Sequence, residues 1–174
     1  MRWTPDVRTI ALLENAPLYN DLNLGYEYLV FPNDAPEDDG GKDIGFGHKI
    51  QKGENFDSGI SLEDCWNLLL IDYGEALLET INFIGQGVFF KLPQASQFLL
   101  IDFKFNGVLH LFPKFIRALV NGHYEKAIEE SKRYYTVGGK KKEILRRNEM
   151  TKAILEDLID QSRFLNQGVH DGSL

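Results

Sequence analysis

The spacing of apolar and polar positions changes rhythm several times along this chain. Val7, Ile10, Ala11 and Leu13 fall on neighbouring faces of a helix, with Thr4 placed to cap it and Pro5 suited to its first position. Pro17 predicts that this helix stops near Asn15. Residues 24–50, LGYEYLVFPNDAPEDDGGKDIGFGHKI, alternate aromatic with polar positions and carry Pro32, Pro36 and five glycines, a pattern of short strands around a long turn. SLED at 61–64 forms a capping box ahead of Trp66, Leu69, Leu70, Tyr73 and Leu77, so a long helix is expected to run to about residue 83. After GQG and Pro93, the stretches QASQFLLIDFKFNGV, PKFIRALVNG, YEKAIEESKRYY and KEILRRNEMTKAILEDLIDQ all read as helices closed by Gly, Asn or a polar loop. The expected architecture is α+β. An N-terminal helix and a small antiparallel β-sheet occupy residues 1–60, a connecting helix region 61–92, a helical lobe 93–165, and a frayed tail 166–174, all within a single domain 1–174. Contacts between the long helix and the lobe would define a cleft.

Composition adds bounds. With 174 residues, 43% of them hydrophobic, the chain suits one domain with a sizeable core. Its one cysteine, Cys65, sits in an apolar helical run and reads as a buried thiol in a reduced compartment. The opening MRWTPDVRTIALLENAP has a broken apolar run and lacks the hydrophobic region of a secretory signal, and no later stretch approaches a membrane span. The net charge of −7 conceals a division: residues 104–152 carry 12 Lys and Arg against 5 acids, and the acids dominate elsewhere. An acidic part and a basic part suit a cleft for a polyanion. No nucleic-acid motif accompanies the basic part, so nucleic acid is not the expected partner.

Two carboxylates are the leading chemical candidates. Glu14 falls in the last turn of the first helix, among apolar neighbours, where burial and the negative end of the helix dipole would both push its pKa upward, as a proton donor requires. Asp43 stands where a strand begins, although Asp is disfavoured inside strands. The loop before it gathers Asp34, Glu37, Asp38 and Asp39. Two carboxylates across a cleft are what glycosidic cleavage needs: one protonates the leaving oxygen and the other activates water or attacks carbon. His48, His110, His123 and His170 are scattered without Cys or His partners at metal-ligand spacing, so no metal and no cofactor is expected. Asp72, on the inner side of the long helix, is the expected partner of a structural, charged His48. The glycines of GGKDIGFG lack the Gly-Lys-Ser/Thr ending of a phosphate loop.

Taken in order, LLEN, GGKDIGFGHKI, GISLEDCWNLLLIDY, LLIDFKFNGV, FPKFIRALVNGHYEKAIEESKRYY and LRRNE resemble the phage-type lysozymes, the muramidases of glycoside hydrolase family 24, over residues 12 to about 150. The resemblance implies a lysozyme-like fold, Glu14 as the catalytic acid, and Arg146 or Arg147 of the last helix facing it. It also implies that Phe105 and Asn106 line the substrate cleft, with Phe105 against a sugar face. Family members usually carry a threonine before the isoleucine of the IGxGH strand, where it positions the attacking water; this chain has Asp43. The family's middle aspartate maps to Asp39 or Asp34.

From these residues the expected mechanism is proton donation by Glu14 with Asp43 as general base, inverting the anomeric carbon. A carboxyl separation of roughly 6.5 to 9.5 Å fits that route, whereas roughly 5 to 5.5 Å would make Asp43 a nucleophile and give retention. The implied substrate is bacterial peptidoglycan, cut between N-acetylmuramic acid and N-acetylglucosamine by a monomer. Delivery would be in a phage virion beside other virion proteins, or as an endolysin released from the host cytoplasm to the cell wall. A non-catalytic virion or wall-binding protein of the same fold, and a lytic transglycosylase, are the competing expectations.

Overall fold

A computed structural model describes residues 5–34, 41–137 and 139–168. The chain is α+β, and it divides into two compact units, Asp6–Leu78 and a second that runs from Glu79 onward.

In the first unit, α1 (Val7–Asn23) starts from Asp6, whose side chain accepts a hydrogen bond from the Arg8 backbone N–H at 2.9 Å. This cap lies later than the expected Thr4, which is outside the described residues. Pro17 does not end the helix. Instead Asn15 leaves helical geometry (φ −150°, ψ 79°) and the helix restarts behind it. The Asn15 Oδ1 accepts from the Leu18 N–H at 3.2 Å, so Asn15 acts as the N-cap of a second segment. Pro17 then sits in a first turn, where its missing N–H breaks no ladder bond.

Short strands follow: β1 (Leu29–Val30), β2 (Asn33–Asp34), β3 (Lys42–Ile44), β4 (His48–Lys49) and β5 (Ile60–Ser61). β1 pairs with β5, while β2, β3 and β4 form an antiparallel sheet in that order. Asp43 stands opposite both Asn33 and Lys49, and Ile44 stands opposite His48. Side chains alternate across a strand, so Asn33, Asp43 and Lys49 share one face while Ile44 and His48 share the other. α2 (Leu62–Ile84) begins as the capping box requires, with the Ser61 hydroxyl accepting from the Asp64 N–H at 3.1 Å and donating to its carboxylate at 2.7 Å. Ile10, Ala11, Ile44, Phe46, Cys65 and Leu69 are buried in this unit.

The second unit contains α3 (Gln86–Phe89), α4 (Gln94–Phe105), a 3-10 turn at Leu109–Leu111, α5 (Pro113–Val120) and α6 (Tyr124–Glu130). A hairpin of β6 (Tyr134–Val137) and β7 (Lys140–Glu143) comes next, before α7 (Leu145–Gly168). The hairpin corrects the all-helical reading of this region: α6 ends at Glu130, and YYTV, two aromatic and two β-branched residues, pairs across the glycine turn with KKKE. The core stacks Phe103 on Phe115, with ring centroids 4.3 Å apart, and sets Phe112 edge-on to Phe103 at 5.0 Å. Leu99, Leu100, Met150 and Leu155 are fully buried around them. Residues 169–174 of the expected frayed tail lie outside the described residues.

Candidate active site

The stretch that joins β3 to β4, Gly45-Phe46-Gly47, organises the site in the first unit. Gly45 and Gly47 adopt φ of +66° and +83°, the left-handed region that glycine enters without a Cβ clash. A Cβ on Gly45 would come within 2.9 Å of the Cys65 Cβ, so this turn lies directly on α2. Phe46 between them is buried and meets Trp66 edge-on at 6.2 Å; Trp66 in turn lies 5.9 Å from the Tyr19 ring. Burial of one aromatic thus pins a turn whose flanking glycines let backbone approach closely.

Glu14 meets this turn. A Cβ on Gly47 would stand 3.5 Å from the Glu14 Oε2, which sets the carboxylate against the backbone there. The neighbouring Asn15 donates from Nδ2 to the Gly45 carbonyl at 3.2 Å while its Oδ1 caps the second segment of α1. Both hydrogen-bonding ends of one side chain therefore tie the helix break to the turn, and the break in turn positions Glu14. Glu14 is exposed, not buried as expected, and the helix segment it closes is followed at once by a second.

Asp43 is half-buried, on the sheet face away from Ile44 and His48. Burial pushes its pKa above the ordinary carboxylate value, and the Lys49 charge and a hydrogen bond from Asn33 pull it back only in part. On the opposite face, His48 Nδ1 lies 2.9 and 3.0 Å from the Asp72 carboxylate oxygens, and Nε2 lies 3.1 Å from Glu54 Oε2. With a carboxylate at each ring nitrogen, the doubly protonated ring satisfies both. Burial alone would lower the His48 pKa, yet the hydrogen bonds to Glu54 and Asp72 outweigh it and raise the value. Glu54 accepts from the Gln51 backbone N–H at 2.7 Å as well as meeting His48, and both hold its pKa below the usual range. The meeting of His48 with Asp72 agrees with the sequence reading. Glu54 was missed there, although it lies only six residues after His48.

The remaining candidates belong to the second unit. Phe105 is half-buried at the end of α4. Asn106 caps that helix and donates from Nδ2 to the Asp102 carbonyl at 2.7 Å. On α7, Arg147 is buried and ion-paired with Asp102, whereas Arg146 is exposed. Asp102 itself is fully buried and also accepts from Arg133 Nη1 at 2.6 Å. Arg133 further donates to the Thr151 hydroxyl at 2.9 Å and lies 4.1 Å from the Phe103 ring centroid. This cluster was not read from the sequence, because its members are far apart along the chain. Asp39, Asp38 and Glu37 lie outside the described residues.

Among the described residues no group of three His, Cys, Asp or Glu side chains could hold a metal ion, and no helix is long and apolar enough to cross a membrane. Cys65 is buried, which pushes its thiol pKa up to about 11, and an unionised thiol is a poor nucleophile. Comparison with family models, with curated proteins and with solved structures finds no match.

Proposed function

We propose that this chain is a peptidoglycan-degrading glycoside hydrolase, a muramidase of lysozyme-like fold in which Glu14 is the acid and Asp43 the base. The observation that carries the reading is the seat of Glu14: a carboxylate set at a helix break, against the Gly47 backbone, on the turn that Asp43's own strand leads into. A carboxylate used for proton transfer needs a defined position, and Asn15 supplies it through the Gly45 carbonyl.

In this mechanism the protonated Glu14 donates to the glycosidic oxygen as the bond to the anomeric carbon breaks. Asp43 takes a proton from water as its oxygen attacks the opposite face of the sugar, and the product anomer is inverted. A saccharide seated over an exposed carboxyl group strips its water, which favours the protonated acid. Asp43, half-buried and with its pKa raised by that burial, is a stronger base than a solvated aspartate. The inverting route requires a carboxyl separation of roughly 6.5 to 9.5 Å, whereas roughly 5 to 5.5 Å would make Asp43 a nucleophile.

The substrate is bacterial peptidoglycan, cut between N-acetylmuramic acid and N-acetylglucosamine. The test is digestion of purified cell walls followed by mass spectrometry. Wild type should clear turbidity and release reducing muropeptides, and Glu14→Gln should lose about 10² to 10⁴ in rate. Equal rates for wild type and Glu14→Gln would sink the assignment of the acid. Unchanged turbidity with wild type would leave a wall-binding protein, and anhydro-sugar products would mark a lytic transglycosylase.

A further inference from the structure

The second unit carries an open pocket of about 380 Å³ whose polar lining is mostly cationic: Lys114 and Arg117 from α5, His123 from the link, and Lys126 with Glu130 from α6. The fold builds it from small residues. Ala118 and Ala127 are buried where α5 and α6 meet, and the link is held by the His123 N–H on the Ala118 carbonyl at 2.9 Å and the Ala127 N–H on the His123 carbonyl at 2.9 Å. Short side chains at the contact let the two helices close, and the long cationic ones stand around the opening.

The charges do not cancel. Lys126 Nζ is 2.6 Å from Glu129 and 3.3 Å from Glu130, so the acids here are already spent on one lysine. Among the described residues neither Lys114 nor Arg117 is ion-paired, which leaves two fixed positive charges three residues apart on one helix face. Like charges at that spacing repel and gain from a shared counter-ion. A carboxylate neutralises one of them, whereas a phosphate monoester carries about −1.5 to −2 at neutral pH and offers three acceptor oxygens. Arg117 supplies a planar fork for two of these oxygens, Lys114 a point charge for the third, and His123 a further ring nitrogen.

We propose that this pocket is a binding site for a terminal phosphate group, as free phosphate or as the monoester of a small phosphorylated compound. It gives the basic segment of the chain a role separate from the glycosidic chemistry of the first unit. Lys114, Arg117, His123 and Lys126 are exposed, so binding is modest and salt-sensitive, with a Kd on the order of 1 mM at low ionic strength.

The test is an NMR titration of the ¹⁵N-labelled full chain at constant ionic strength with inorganic phosphate, glucose 6-phosphate, a glycerol phosphodiester and acetate. Saturable shifts confined to the α5–α6 amides with phosphate or glucose 6-phosphate support the site, and their relative strength tells free phosphate from an esterified ligand. Arg117→Gln should weaken binding about tenfold and Arg117→Lys by less, since the charge stays and the fork goes. An unperturbed amide pattern elsewhere in these variants shows that they are folded. No saturable shift, shifts elsewhere in the chain, binding of diester or acetate as tight as phosphate, or unchanged affinity in Arg117→Gln would each overturn the proposal.

Discussion

Asp102→Asn is the most informative single change for the second unit. The wild-type carboxylate is fully buried and accepts from Arg133 and Arg147, and Arg133 is only 1% exposed. The variant keeps the side-chain volume but removes the negative charge that both buried guanidiniums meet. Breaking a buried ion pair by removing one partner costs about 3 to 5 kcal/mol, because the remaining charge is uncompensated. One hydrogen bond to a charged group, worth about 1.5 to 3 kcal/mol, is also lost, because an amide Nδ2 cannot accept where a carboxylate oxygen did. For a chain of 174 residues each kcal/mol moves Tm by about 2 to 4 °C, so Tm should fall by roughly 6 to 20 °C. Urea unfolding followed by circular dichroism, with a parallel thermal scan, measures both. The companion variant Asp102→Leu/Arg133→Met/Arg147→Met removes all three charges together and should recover most of the loss, since an apolar replacement of a whole buried ion cluster is often neutral. A loss below about 1 kcal/mol in Asp102→Asn, or a triple variant no better than the single one, would refute the reasoning.

Other predictions concern the first unit. Asn15→Ala removes the cap on Leu18 and the bond to the Gly45 carbonyl together, and should cost about 1 to 3 kcal/mol by urea unfolding. Asn15→Asp keeps the cap but loses the donor to Gly45, so it should recover part of that stability; no recovery would mean that capping is not what Asn15 contributes. For His48 the folded pKa is raised, so the stability from its charged form is fully present below the ordinary value of 6.5 and is lost as pH rises through the higher folded value. The stability gap between wild type and His48→Gln should therefore narrow as pH rises above the ordinary value of 6.5 and through the higher folded one, and a gap independent of pH would contradict the paired imidazolium.

Much of this protein was legible locally. The SLED capping box and the apolar run behind it are each decided by residues within a turn or two of one another, and each formed where the pattern placed it. The helix break at Asn15 was legible only in part. Pro17 announced it, but whether the chain ended there or restarted depended on an asparagine with two partners, one of them 30 residues away. The hairpin at residues 134–143 went unread because its charged strand, KKKE, has no apolar alternation to reveal its period. The joining of Asp102 to Arg133 and Arg147, 31 and 45 residues apart, belongs wholly to the tertiary structure. So does the division of labour on the small sheet, where pairing register puts Asp43 on one face and His48 on the other. Periodicity and capping are short-range properties that a sequence displays directly. Which charges meet is settled only when packing closes long loops and takes water away, because a side chain's partners and its solvation are made by the fold and not by its neighbours in the chain.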